Sequence, residues 1–446
     1  LWIDEFISLI DAHKLPLNKG RFLYYPLLRA WIWLGGDGDA WLRGLSVLFA
    51  LGSVFLLYQL GRFLLSKSIG LLAALMLSVS PLFVNHAQEV RYYTISTFLG
   101  IAGTLALAHA LENPTPLAAR LGWAVLRFLA ILTTPLNGIL LAPDCLLVAL
   151  KFRQQRRLLF AFGKMVLLLL VFCLPVALST IGSVTSGEHQ LVGPIPGLRH
   201  LLRELRILTA FSYPPPSPYL PRLLQVYSLL LVGVLAIALF QKPRSEKILW
   251  VAAWGFLPLA MIFAYSHLWE SVWITRYLMF AYPYLFILLA AGILKIWQRW
   301  RAVAVGVSAA YVLTVVSGLV YYYTVPGRYM GASGEIYRSI TQTINTNQKP
   351  GDSIVWSIIH NTAMPLEHYY RGSAPIYVKE PIQKFDRSNI ESWLRSLPAI
   401  ESRLWLVHLK ASPVVCDVVE EQFEVLETYD QFGQCSLFLV KPKSQK

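Results

Sequence analysis

Three short polar groups interrupt an otherwise apolar chain, and each could do chemistry. The first is Asp4-Glu5, two adjacent carboxylates between Leu1-Trp2-Ile3 and Phe6. A carboxylate so placed can take a proton from an attacking hydroxyl, which is general-base work. The same pair could instead only favour the start of a juxtamembrane helix, because Phe6, Leu9, Ile10 and His13 recur at helical spacing. The second group is Glu89-Val90-Arg91-Tyr92-Tyr93, at the end of a polar break that opens with Ser80-Pro81. Charges beside membrane-length helices mark substrate sites, yet an interfacial turn with belt tyrosines and a snorkelling arginine has the same composition. Composition leaves that choice open. The third group is Arg276-Tyr277, between two more apolar runs. His86 and His267 fall at the same level, and each reads as a satisfied structural group.

The elements that must hold these residues are membrane spans. Only 14% of the 446 residues are charged, 56% are hydrophobic and the mean hydropathy is +0.52. Soluble domains carry about 25% charge, so the composition is that of a membrane protein. About ten segments approach the ~20 apolar residues a crossing needs: 41–63, 68–85, 92–111, 120–134, 136–150, 158–181, 222–240, 248–266, 277–295 and 302–323. The pair between 120 and 150 is short enough to be one kinked or re-entrant unit. The net charge of +14 does not indicate nucleic acid, because the basic residues collect in short clusters between apolar runs.

Those clusters give an orientation. Arg62 and Lys67, Lys151 to Arg157, Lys242 to Lys247, and Lys295 to Arg301 occupy alternate connections, which the positive-inside rule assigns to the cytoplasm. Residues 1–40, the 85–93 turn, the 182–221 loop, the 267–276 turn and the tail are then expected outside. Asp4, Glu89, Arg91 and Arg276 fall on that one side. An even number of spans with both ends outside implies a further helix upstream, if the complete protein starts in the cytoplasm. No basic n-region with a cleavable apolar core is seen.

Residues 324–446 change to the composition of a soluble domain. Ser333 is expected to cap a helix with Ile336, Ile340 and Ile344 on one face. Pro350-Gly351-Asp352 then turns into a strand over 353–359. Further strands are predicted at 374–379, 403–409, 424–428 and 436–440, with helices near 362–370, 387–397 and 412–422. This alternation predicts a small α/β domain. His360-Asn361-Thr362 follows the first strand in place of a Gly-rich loop, which argues against a dinucleotide site. The four cysteines show no metal-ligand spacing, so a metal has no support in the sequence. Cys416 and Cys435 share the tail, where a disulfide or two unpaired residues are equally open.

A chain that opens Trp2-Ile3-Asp4-Glu5 and continues through Tyr25-Pro26-Leu27-Leu28-Arg29 and Trp41-Leu42-Arg43-Gly44-Leu45-Ser46 has a familiar order of motifs. With Ser80-Pro81 and Gln88-Glu89-Val90-Arg91-Tyr92 following, it resembles the protein O-mannosyltransferase and aminoarabinose transferase superfamily, glycosyltransferase family 39 with the GT-C fold. Arg276-Tyr277-Leu278 before Tyr282-Pro283, and Pro350-Gly351-Asp352, match its bacterial branch. The resemblance implies a polytopic α-helical membrane protein with a C-terminal extracytoplasmic α/β domain, in the plasma (inner) membrane. It implies transfer of a sugar from a polyprenyl-phosphate donor to an acceptor at the outer face, the acceptor being a protein, glycolipid or polymer.

In such enzymes an acidic residue in the first outer loop, after a first transmembrane helix, is taken as the base. Asp4 matches it, with Glu5 beside it, and the helix before it is absent from this chain. The leaving group is already a stable phosphate anion, so a general acid is dispensable and fixed positive charge helps more. Arg91 suits that role, because guanidinium is planar, always charged and able to grip two phosphate oxygens. Arg276 is a second candidate, and Tyr92, Tyr93 and Tyr277 are hydroxyl donors, with Glu89 beside them. Direct displacement would invert the anomeric centre. Arg29 and Arg43 are assigned to the loop's own fold, and 182–221 to an acceptor-side flap or a plain surface loop. The rival reading is a transporter or flippase of a lipid-linked saccharide, which predicts broken half-helices in two matching repeats. No such repeat is evident.

Overall fold

The computed structural model describes residues 1, 3–16, 20–185, 193–210, 220–243, 245–324, 332–358, 362–380, 382, 386–397, 402–408, 413–429 and 436–443. The chain divides into two compact units, one of Ser8–Pro326 and one of Leu1–Ile7 with Gly327–Lys446.

The first unit is helical. After α1 (Ile3–Lys14), which begins in the other unit, come α2 (Tyr24–Gly35), α3 (Asp39–Leu64), α4 (Lys67–Ser78), α5 (Pro81–Ala87), α6 (Tyr93–Glu112), α7 (Leu117–Thr133) and α8 (Leu141–Lys151). They are followed by α9 (Arg156–Thr185), α10 (Leu198–Ile207), α11 (Leu220–Phe240), α12 (Glu246–Leu268), α13 (Tyr282–Arg299) and α14 (Arg301–Thr324). Among the described residues six helices are long and apolar enough to cross a bilayer, seven if α4 and α5, bent by 63°, form one broken span. The protein is therefore multi-pass. The bend falls at Ser80, whose hydroxyl caps α5 by accepting from Phe83 N and donates to Leu208 O at 2.6 Å. Segments 120–134 and 136–150 form α7 and α8, joined by a 3-10 turn over Pro135–Leu140.

Helix α13 packs against α4, α11, α12 and α14 and is buried almost continuously from Tyr282 to Ile293. A helix covered on so many sides lies inside the bundle. Helices α3 and α4 approach closely at Gly61 and Gly70; a Cβ on Gly70 would lie 2.5 Å from Tyr58 O. Between α7 and α8 lies a buried ion pair. Arg127 meets Asp144 through Nε at 2.6 Å and Nη2 at 3.0 Å, and the indoles of Trp123 and Trp254 each donate to the same carboxylate at 2.8 Å. Nη1 reaches Gly100 O and Nη2 also reaches Thr104 Oγ1, so each of the three guanidinium nitrogens has a partner, as burial requires.

The second unit is the small α/β domain expected. Its elements are α15 (Ala332–Asn347), β1 (Ser353–Ser357), α16 (Met364–Tyr369), β2 (Ile376–Val378), α17 (Arg387–Arg395), β3 (Leu404–His408), α18 (Pro413–Gln422), β4 (Phe423–Tyr429) and β5 (Ser436–Pro442). The sheet order is β2-β1-β3-β5-β4, parallel across β2, β1 and β3 and antiparallel at β5 and β4. Ile340 and Ile344 of α15 are fully buried and Ile336 partly so, the face read from their spacing. Asp352 ties the head of β1 to β3 by accepting from Arg403 Nε and Nη2, Trp405 Nε1 and Lys349 N at 2.7–2.9 Å. Cys435 and the His360-Asn361 loop lie outside the described residues.

Candidate active site

The polar break before α6 folds on itself. Glu89 spends both carboxylate oxygens locally, accepting from Asn85 Nδ2 and pairing with His86 Nδ1, each at 2.9 Å. Burial pushes this carboxyl upward, but the His86 ring, Arg91 and Asn85 outweigh it and hold it below the ordinary carboxylate range. Ser46 of α3 donates to the carbonyls of Glu89 and Arg91, so the break is pinned from both sides. Its geometry turns Arg91 inward. That buried guanidinium donates through Nη1 to Ser8 Oγ at 3.1 Å and stands 5.5 Å and 5.8 Å from the ring centres of Tyr92 and Tyr93.

Tyr92, just before α6, and Tyr93 and Ser96 in its first turn line a small cleft with Thr134, Leu136, Arg276, Tyr277, Met279 and Phe280. Arg276 and Tyr277 arrive on a 3-10 turn over Thr275–Leu278, between α12 and α13. Four of the residues singled out in the sequence, Tyr92, Tyr93, Arg276 and Tyr277, thus share one wall, with Arg91 beside it. Tyr93 is 1% exposed and its hydroxyl has no hydrogen-bond partner among the described residues. A buried hydroxyl in that state is costly, so it is a donor available to a ligand.

Two residues of this region carry no signal in the sequence motifs. Arg21 places its guanidinium 4.4 Å over the Tyr92 ring and donates to Tyr25 OH at 3.0 Å and Tyr92 OH at 3.3 Å. Burial by itself would raise the Tyr92 phenol; the charges of Arg21, Arg91 and Arg276 reverse this and hold it below its usual value. Tyr25, with burial dominant, is pushed up to about 12. The second residue is Glu204 of α10, 7% exposed, which accepts from Thr275 Oγ1 at 3.0 Å and Tyr282 OH at 2.7 Å. Burial raises its carboxyl, against the opposing pull of Tyr282, Thr275 and Arg203. Residues 193–210 of the predicted loop are accordingly docked. Gly193 N donates to Ser271 O at 2.8 Å and Ser271 Oγ to Pro194 O at 2.7 Å. Glu188, His189 and Tyr213 lie outside the described residues.

Asp4 and Glu5 occupy the first turn of α1, in the unit formed with the C-terminal domain. Glu5 is buried and Asp4 partly exposed. The helix is the one its spacing predicts, but its buried side includes Glu5, Phe6, Ser8, Leu9, Asp11 and Ala12, while His13 is exposed and bonds back to Leu9 O. His267 is likewise exposed and bonds to Phe263 O, a structural group. Among the described residues no cluster of three or more His, Cys, Asp or Glu is placed to hold a metal ion.

Residues 22–179 match the family model described as dolichyl-phosphate-mannose-protein mannosyltransferase. That match covers about a third of the chain. No significant match was found among curated proteins. Among solved structures, the chain is similar to ArnT from Cupriavidus metallidurans bound to undecaprenyl phosphate, at TM-score 0.55 and 16% identity, covering 93% of this chain and 87% of that one. The apo state of the same protein gives TM-score 0.54 and 14% identity, over 94% and 87%. At such identities the likeness concerns the fold alone. The GT-C bundle with a C-terminal α/β region read from the sequence is therefore borne out.

Proposed function

We propose that this protein is a glycosyltransferase that takes its sugar from a polyprenyl-phosphate-linked donor and passes it, with inversion, to an acceptor hydroxyl at the outer face of the plasma membrane, where its C-terminal domain also lies. The observation that carries the reading is the convergence of Arg21, Arg91 and Arg276 on Tyr92 beside a cleft in an apolar bundle. Guanidiniums gathered beside a cleft in an apolar bundle have a purpose where an anion must be received. The likeness in fold to ArnT, whose structure holds undecaprenyl phosphate, supports a lipid phosphate as that anion.

The chemistry follows from the charges. Arg91 and Arg276 hold the phosphate oxygens of the donor, and the hydroxyls of Tyr92, Tyr93 and Tyr277 supply further donors. The acceptor hydroxyl attacks the sugar C1 from the side opposite the phosphate. The C1–O bond to phosphate breaks as the new one forms, and the electron pair leaves with a phosphate whose growing charge the arginines stabilise. The hydroxyl proton goes to Asp4, a general-base contribution of roughly 10²- to 10⁴-fold. Glu5 is the neighbouring carboxylate in the same turn, and Glu89 acts at one remove, by shaping the turn that aims Arg91.

The test is transfer by purified protein in liposomes, supplied with undecaprenyl-phosphate mannose and undecaprenyl-phosphate aminoarabinose among a panel of lipid-linked sugars. Release of undecaprenyl phosphate, lost in Asp4→Asn and in a folded Arg91→Ala, is expected. Movement of an intact lipid-linked saccharide across the bilayer, with no cleavage, would overturn the reading.

A further inference from the structure

The segment that bears the candidate base belongs to the unit of the C-terminal domain. Within the C-terminal unit, Phe6 is 1% exposed and sits in an aromatic cage. Its ring centre lies 6.1 Å from Tyr337, 5.6 Å from His368 and 6.2 Å from Tyr369, each in edge-on geometry. Such T-shaped packing fixes direction as well as distance. Tyr337 comes from α15 and the other two from α16.

The cage is itself braced. Asn345 of α15 donates to Tyr369 O at 3.1 Å and accepts from Arg371 N at 3.0 Å, closing the end of α16 onto α15. Tyr370 OH donates to Gln348 at 2.6 Å and accepts from Ala374 N at 2.8 Å, on the approach to β2. Tyr337 also meets Trp356 of β1 at 5.9 Å. The position of Phe6 is thus referred back to the sheet. On a helix with 3.6 residues per turn, Asp4 stands about 200° round the axis from Phe6. The cage grips one side of the turn and leaves Asp4 on the other, which agrees with its partial exposure.

We infer that the C-terminal domain is a positioning device for the base: through Tyr337, His368 and Tyr369 it holds Phe6, and with it the helical turn that presents Asp4. This rests on the reading of Asp4 as base. Phe6 is a positioning residue and touches no substrate.

The experiment compares full-length wild-type protein in liposomes with Phe6→Ala, Phe6→Leu and His368→Ala, with Leu426→Ser on the exposed part of β4 as the control. Amide hydrogen exchange is read over residues 3–8, and kcat and the donor KM are measured with undecaprenyl-phosphate mannose and undecaprenyl-phosphate aminoarabinose. In Phe6→Ala and His368→Ala, exchange over 3–8 is expected to rise about tenfold or more while the membrane helices keep theirs. The kcat is expected to fall about 10- to 100-fold, since small misplacement of a reacting group costs that much, with the donor KM within about twofold. Phe6→Leu restores most of the rate, and the control is unaffected. Folded cage variants with wild-type exchange, or with faster exchange and wild-type kcat, overturn the proposal, as does a loss confined to KM. Failure of the base itself is separate: Asp4→Asn at the wild-type rate removes that reading whatever the cage variants do.

Discussion

Arg127 Nε lies 2.6 Å from Asp144 Oδ2, with both side chains wholly buried. Removing one partner leaves the other charged and uncompensated in an apolar bundle. Asp144→Ala is therefore expected to destabilise the protein by about 3–5 kcal/mol, read as a lower thermal midpoint in detergent. Gly103→Ala should fail in the same place, because its Cβ would come within 2.9 Å of Arg127 Nη1. A wild-type midpoint in either variant would show that the pair is not what joins α6, α7, α8 and α12.

Arg21 was silent in the sequence and is central in the structure. If it is the third cation of the donor site, Arg21→Ala loses activity by about 10²-fold, the typical cost of one transition-state donor. Arg21→Lys should recover little, because an ammonium cannot both lie over Tyr92 and serve two phenols as a guanidinium does. Steady-state kinetics on both variants, beside a fold check by circular dichroism, decide it.

Glu204 supports the Thr275–Leu278 turn from α10, so its effect should pass through Arg276. Glu204→Ala frees Thr275 and Tyr282 and is expected to raise the donor KM by about tenfold, the equivalent of one charge-assisted hydrogen bond. Glu204→Gln keeps an acceptor and should stay near wild type. Equal losses in both would place the importance in the charge and not in the support.

In the C-terminal domain the relevant variable is pH. Burial would raise the Asp352 carboxyl, but the hydrogen bonds from Arg403, Lys349 and Trp405 prevail, and it titrates below the ordinary carboxylate range. A carboxyl depressed on folding stabilises fully above its unfolded pKa, about 4, and loses that contribution as pH falls through the folded value. Stability should therefore decline as the medium is acidified below about pH 4. Asp352→Asn should cost about 1–3 kcal/mol at neutral pH and flatten that acid limb in urea titrations.

The tail was the most legible part of the sequence. Its strands alternate with helices at turns such as Pro350-Gly351-Asp352, and the five predicted strands fall within two residues of those formed at every described boundary. In the bundle, Arg91, Tyr92, Tyr93, Arg276 and Tyr277 were visible because polar residues stand out between apolar runs. Arg21 and Glu204 were not, for different reasons. Arg21 lies in a stretch with no periodicity, and Glu204 shares α10 with Arg199, Arg203 and Arg206, which makes the helix look like a solvated face. Arg127 and Asp144 were within reach, since ionised residues inside predicted spans call for partners. What hid them was the break at Pro135, which makes residues 17 positions apart face each other.

Helix α13 has a consequence for how the protein is made. Its 18 residues carry Tyr282, Tyr284, Lys295 and Arg299, and it is not among the helices apolar enough to count as a span. A segment of that kind partitions poorly into lipid on its own. It is expected to leave the translocon already sheltered by α11 and α12, which are synthesised just before it. Insertion of α13 measured in a glycosylation-mapping reporter should be inefficient for the isolated segment and efficient when the two preceding helices are present.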